Sequence, residues 1–314
     1  MIIGSCNEAA VDVAASRRPD RWMRHWLLLA GFIAFLAIVI PVDARGSKQS
    51  QRTNGPSAQG RPVVIGMSYL VRSQILSGGR RVNVYLPEHY ADTSRRFRVL
   101  YLLDGGETED FHHISGLARI TAAYGGGEEM IVVGIEGADR QHDLTTPSSV
   151  ASDRAAAPTA GGAAAYRRFL VDELRPWVAS RYRTNGRSGL IGESLAGLFV
   201  LDTFLREPRA FDDYVSISPS LWWDGERLSR DAAHLLSASD FRGKRLWMAM
   251  AGADDDYPEM HRAAGRLQEA LRAMAGWAPS WSYRVLPGET HATVYHLAAL
   301  LAFRQLYPVV AAPK

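Results

Sequence analysis

Short runs of aliphatic, aromatic and β-branched residues, bounded by Gly, Pro, Asp or Ser, recur from Tyr69 onward. They predict eight strands, at Tyr69–Leu76, Arg81–Leu86, Val99–Leu103, Met130–Ile135, Ser188–Gly192, Tyr214–Ser218, Leu246–Ala251 and Ser282–Leu286. Beyond Val99 these runs alternate with segments whose apolar positions return at helical spacing, at Phe111–Ala122, Ala163–Tyr182, Leu195–Arg206, Gly225–Leu236, Glu259–Ala275 and Ala292–Leu306. Parallel neighbours need crossover connections, so this alternation predicts an α/β architecture, a mostly parallel eight-stranded sheet with helices on both faces. The first two strands, joined across Ser77, Gly78 and Gly79, read as an antiparallel hairpin. In such sheets ligand chemistry belongs at the carboxyl ends of the strands.

The pattern changes outside this region. Trp26 to Ile40 is an uninterrupted apolar run, preceded by Arg17, Arg18, Arg21 and Arg24 and followed by Val42-Asp43-Ala44, which has the form of an export signal with a cleavage site. Met23 would be a more usual start for such a signal. An uncleaved N-terminal anchor is the alternative, although the run is shorter than the roughly 20 apolar residues of a membrane span. Residues 45–62 are polar and Gly/Ser-rich, too poor in apolar surface to offset the entropy of ordering, and read as a flexible linker. The expected plan is therefore a signal or anchor over 1–44, a linker over 45–62 and one folded domain over 63–314, periplasmic or secreted, touching a membrane only through an uncleaved anchor. Residues 145–162, rich in Ala, Ser, Pro and Gly, form a long connection read either as a lid or cleft wall or as a surface excursion.

Composition narrows the function. The chain of 314 residues is 47% hydrophobic and 22% charged, as globular proteins are, and its 36 basic against 33 acidic residues form no concentrated basic stripe, so no nucleic-acid partner is expected. The single cysteine, Cys6, lies before the apolar run, which removes disulfides, thiol catalysis and cysteine-ligated metals from the folded domain.

The chemistry sits at Gly192-Glu193-Ser194-Leu195-Ala196-Gly197, between a predicted buried strand and a predicted helix. A serine at such a corner is thrust out on a strained turn, and the amide after it points at a substrate oxyanion, the nucleophile elbow of α/β-hydrolase folds. Ala196 stands where the pattern expects a second glycine, and Gly197 beside it can relieve the helix packing. The competing role for Ser194 is a helix N-cap.

A serine nucleophile needs a histidine base and usually a carboxylate, in this fold in the chain order serine, acid, histidine. Of His234, His261, His291 and His296, only His291 falls in a loop after the last strand; His261 and His296 lie on helices. The acid is expected after the preceding strand, where Asp254 is the first choice among Asp254, Asp255 and Asp256, with a Ser-His dyad as the alternative. Leu195 supplies one oxyanion donor, and Gly105 or Gly106, after the strand ending at Leu103, the other. No metal and no cofactor is implied.

Val84-Tyr85-Leu86-Pro87, Tyr101 to Gly105, Val132 to Ile135 with Arg140 and Asp143 to Thr145, the elbow, and Ser218-Pro219-Ser220-Leu221-Trp222-Trp223 form a spaced set. This set resembles the bacterial putative-esterase family of α/β-hydrolases, nearest to its periplasmic ferric-siderophore (enterobactin-type) branch, from Val63 to Tyr307. The resemblance implies ester hydrolysis through Ser194 and His291, with residues 218–223 near the acyl cleft. Trp222 and Trp223 would then wall the cleft or belong to the core, and Arg140 would attract an anionic substrate or pair with Asp143. Siderophore lactones, feruloyl or acetyl esters and acyl transfer stay open as chemistries, with a peptidase as an intermediate option; a non-catalytic binding protein of the same fold is the alternative of another class.

Overall fold

The computed structural model describes residues 60–252, 258–274 and 278–309. Contacts divide the chain into Met1–Arg61 and Pro62–Lys314, and the second unit is the one whose fold follows. Eight strands form one sheet in the order β1-β2-β4-β3-β5-β6-β7-β8. They are β1 (Met67–Ser73), β2 (Gly78–Tyr85), β3 (Phe97–Leu103), β4 (Met130–Ile135), β5 (Thr184–Glu193), β6 (Asp213–Ile217), β7 (Arg245–Ala251) and β8 (Ser280–Leu286). β2 pairs antiparallel with β1 and β4, and the remaining pairings are parallel.

The period-two alternation along the central strands builds two cores. Val99, Tyr101 and Leu103 of β3 face one side with Leu246, Met248 and Met250 of β7. Leu100 and Leu102 face the other, with Trp247 and Ala249. The second side is covered by α1 (Phe111–Tyr124) and α10 (Val294–Leu306). The first is covered by α4 (Ala163–Arg168), a π-helical segment (Phe169–Leu174) running into α5 (Arg175–Arg181), and by α6 (Leu195–Arg206), α8 (Ala232–Ser237) and α9 (Pro258–Arg272). Both faces of the sheet are thus closed, and this is why β3, β4 and β7 read as nearly continuous apolar runs.

Three expectations shift. The hairpin turns at Gln74 to Ser77, with Ser73 opposite Gly78, so Ile75 and Leu76 are turn residues packed on the core rather than strand. The helix expected over Gly225–Leu236 is two pieces, α7 (Trp223–Arg230) and α8, and α7 opens on a left-handed run at Asp224, Gly225 and Glu226, whose φ values are 49°, 60° and 66°. Residues 145–162 hold a short helix, α3 (Ala151–Ala156), clasped to that run, after another short helix, α2 (Arg140–Leu144). The Asp224 carboxylate accepts from the Ser149 amide at 2.6 Å and the Ser149 hydroxyl at 2.7 Å, while the Asp224 amide donates to Asp153 at 2.9 Å. The segment is bonded to the chain that follows β6 and buttresses it, so it is not a loose surface excursion.

At the amino edge of the sheet lies a buried charge cluster. Asp213, fully buried, accepts from Arg98 at 2.7 Å and Arg245 at 2.5 Å, and both guanidiniums lie over the Tyr307 ring. Arg98 also reaches Glu128 at 3.1 Å.

Candidate active site

β3 and β5 are neighbours, but the chain leaves β3 for β4 on one side before returning to β5 on the other. Such a switch in strand order opens a crevice at the carboxyl ends, and Ser194 stands there, between the last residue of β5 and the first of α6. Its φ of 62° and ψ of −121° lie where a non-glycine residue is strained by about 1–3 kcal/mol. The turn is held from both sides. The Ser194 amide donates to the Ile217 carbonyl at 3.0 Å, and the Ser194 carbonyl accepts from Ser220 at 3.1 Å and Leu198 at 2.9 Å.

The glycines around it answer to close contacts. A Cβ on Gly192 would fall 2.6 Å from the Ala196 Cβ, and one on Gly197 would fall 2.7 Å from the Ile217 carbonyl oxygen. Ala196 therefore packs its methyl into the space that Gly192 leaves empty, and Gly197 provides the close helix-to-strand approach. Ser194 occupies the N-cap position of α6 without making a side-chain cap bond. Its hydroxyl instead meets His291 Nε2 at 3.0 Å and the Ser220 hydroxyl at 3.3 Å.

His291 arrives on the loop between β8 and α10, as the chain order requires. That loop is pinned by Thr293, whose hydroxyl accepts from the Thr290 amide at 3.0 Å and donates to Glu289 at 2.6 Å, and by the Gly252 amide donating to the Glu289 carbonyl at 2.9 Å. An imidazole so placed can take the Oγ proton. Asp254, Asp255 and Asp256, the expected acids, lie outside the described residues.

The oxyanion donors divide. Leu195 opens α6, where the first-turn amides have no partner within the helix. Gly105 and Gly106 are both engaged: the Gly105 amide donates to the Ile135 carbonyl at 2.8 Å and the Gly106 amide to the Glu109 carboxylate at 2.7 Å. Gly105 has a packing reason to be glycine, since a Cβ there would lie 2.4 Å from the Gly134 Cα.

A cavity of about 510 Å³ opens around Ser194 and His291, lined also by Asp110, His113, Arg140 and Glu193. Arg140 does face the cleft, but its partner is Asp104 at 2.8 Å; Asp143, the partner expected from sequence, is taken by Arg80 at 2.8 Å and His142 at 2.9 Å. Trp222 and Trp223 are not among the residues around this cavity. Trp223 is buried with its indole N–H donating to the Thr146 carbonyl at 3.0 Å, and Trp222 packs edge-on against it, so the pair braces the buttress.

The aromatic wall comes from His113 and Tyr295, which sequence reading passed over, and from His296, which it set aside as a helix residue. His113 Nε2 and His296 Nδ1 are 3.0 Å apart, closer than stacked faces approach, so the two nearly coplanar rings share an N–H···N hydrogen bond while His113 Nδ1 faces Asp110 at 3.1 Å. The spacing of His113 after Asp110 on one helix was the only sequence signal for it.

Comparison with known proteins places the chain in a family. The putative esterase family matches residues 73–299. The chain belongs to that family. It is 26% identical over 174 residues to the ferri-bacillibactin esterase BesA of Bacillus subtilis, covering 52% of this chain and 60% of that protein. It is 31% identical over 134 residues to a siderophore enterobactin esterase of Emericella nidulans, covering 39% and 44%. The chain thus spans about half the length of these relatives. Among solved structures, an IroE-like serine hydrolase from Shewanella oneidensis superposes with a TM-score of 0.70 at 25% identity, over 77% of this chain and 80% of that one.

Proposed function

We propose that this putative-esterase family member is a serine carboxylic-ester hydrolase working through an acyl-enzyme on Ser194. The observation that carries the reading is the 3.0 Å contact between His291 Nε2 and the hydroxyl of a serine held on a strained strand-to-helix corner. In this reading the Ser194 Oγ–H proton passes to Nε2 as Oγ bonds to the ester carbonyl carbon, and the carbonyl π pair moves onto oxygen, facing the Leu195 amide. Collapse of that intermediate breaks the bond to the alkoxy oxygen, which takes the proton from Nε2. Water then repeats the sequence and frees the acid. Asp254 is the proposed partner of the other imidazole nitrogen, by its place after β7, with Asp255, Asp256 or a Ser-His dyad as the alternatives.

The substrate class proposed is siderophore lactone esters, supported by relatives named for bacillibactin and enterobactin hydrolysis. Export through the Trp26–Ile40 signal, with Arg45–Pro62 as a linker, is proposed from sequence alone.

With para-nitrophenyl butyrate the enzyme is expected to release a burst of about one nitrophenol per chain before the steady state, the signature of an acyl-enzyme. Absence of any turnover would overturn the esterase reading. Faster hydrolysis of a catecholate trilactone than of the aryl ester would support the siderophore substrate, and no hydrolysis of the trilactone would remove it.

A further inference from the structure

Glu193 stands directly before Ser194 and its role is unassigned. Its side chain is only 21% exposed, and its Oε1 is buried with no hydrogen-bond partner among the described residues. That atom lies 3.5 Å from His291 Nε2, the same nitrogen that meets the Ser194 hydroxyl. An ionised carboxylate in such a place lacks the donors that would offset its desolvation. Burial, reinforced by the negative charges of Asp110 and Asp104 and opposed by Arg140, pushes its carboxyl up to about 8. Burial thus favours the uncharged acid at this position, and the 3.5 Å contact with His291 joins opposite charges only where the carboxyl is ionised and the imidazole protonated.

The charged and titratable groups that share the cleft and its rim come from several elements. Arg140 on α2 is held by Asp104 at the end of β3, while Glu109, before α1, accepts from the Gly106 and Gly137 amides. Asp110 and His113 stand at the start of α1, His291 on the last loop, and Tyr295 and His296 on α10. Among these Arg140 is the one permanent cation, and an ionised Glu193 would set a negative charge against it beside the reacting atoms.

Resting on the serine-esterase reading above, we propose that Glu193 is a specificity-determining residue: uncharged, it lets the cleft accept esters that carry a negative charge, and once ionised it turns them away while neutral esters are still hydrolysed. A full charge several ångströms from a bound anion, at the effective dielectric of a half-open cleft, changes affinity by on the order of tenfold or more.

The test compares kcat/KM for para-nitrophenyl butyrate and for the butyrate of meta-carboxy-para-nitrophenol, which differ by one carboxylate on the leaving group. Measurements run from about pH 7.5 to about pH 9.5, where an ordinary imidazole is already mostly neutral. In the wild type the anionic-to-neutral ratio is expected to fall about tenfold across this range. In Glu193→Gln it is expected to stay flat. A flat wild-type ratio, or an equal fall in the Gln variant, would overturn the proposal. If the Gln variant does not fold, Glu193→Asp carries the test: its fall is expected over a different pH range from the wild type's, and an unchanged curve would overturn the proposal. Full activity in Ser194→Ala on the neutral ester would instead overturn the esterase reading, so the two failures are told apart.

Discussion

Replacing His291 with alanine is expected to lower kcat for a neutral aryl ester by roughly four to six orders of magnitude, with the fold unchanged. The neutral serine hydroxyl is a weak nucleophile, and the imidazole 3.0 Å from Oγ is the group placed to remove its proton as the bond forms. The same imidazole returns that proton to the leaving alcohol, so its loss slows both acylation and deacylation. His291 is 29% exposed and sits in a loop pinned by Thr293 and Glu289, so truncating its side chain leaves the sheet and both cores untouched. Steady-state kinetics beside circular dichroism checks the expectation. A loss of less than tenfold in a folded variant would move the base elsewhere in the cleft.

The second large effect is on stability. Asp213→Ala is expected to cost about 3–5 kcal/mol, because it strips the carboxylate that holds two arginines under the sheet. Arg98 keeps Glu128, whereas Arg245 keeps only its 2.6 Å bond to the Leu306 carbonyl. Both cations would stay trapped against the Tyr307 ring. For a domain of this size that loss lowers the melting temperature by roughly 10 °C. Thermal unfolding followed by circular dichroism reads it directly, and a shift within a degree would mean that the cluster is not a cohesive element of the amino edge.

The sheet was legible because its signal is strong and local. Runs such as Val99 to Leu103 are buried on both sides, and a strand of that kind leaves a continuous apolar segment between turn residues. The Ser194 corner was legible for a different reason: sterics confine the residue types at Gly192 and Gly197, so the motif records the packing. What escaped depended on which distant groups meet. Ile75 and Leu76 look like strand because they are apolar, yet they pack on the core from a turn. The left-handed run at Asp224 to Glu226 is stabilised by Ser148, Ser149 and Asp153, some seventy residues earlier; the Asp224-Gly225 pair is a local turn signal, but its partners are not legible locally.

The same limit applies within the site. The amides of Gly105 and Gly106 suit an oxyanion hole by residue type, but their bonds to Ile135 and Glu109 depend on β4 and the start of α1 folding beside them. Arg140 was read as attracting an anionic substrate or pairing with Asp143; it lines the cleft, and its carboxylate partner is Asp104. Two tryptophans in sequence suggested a cleft wall or core, and they pack with the core, while His113, Tyr295 and His296 line the cleft from two helices that meet on the second face of the sheet. Glu193 was read only as a filler of the elbow pattern, since its burial and its distance to His291 are consequences of the loop that closes over it.

The central claim is that Ser194 is the nucleophile, and covalent labelling tests it most directly. The folded protein is treated with a fluorophosphonate, and the intact mass and the modified peptide are read by mass spectrometry. The account predicts one adduct per chain, on the Ser194 hydroxyl, and none in Ser194→Ala. Stoichiometric labelling at another residue, or no labelling of the folded wild type, would contradict it.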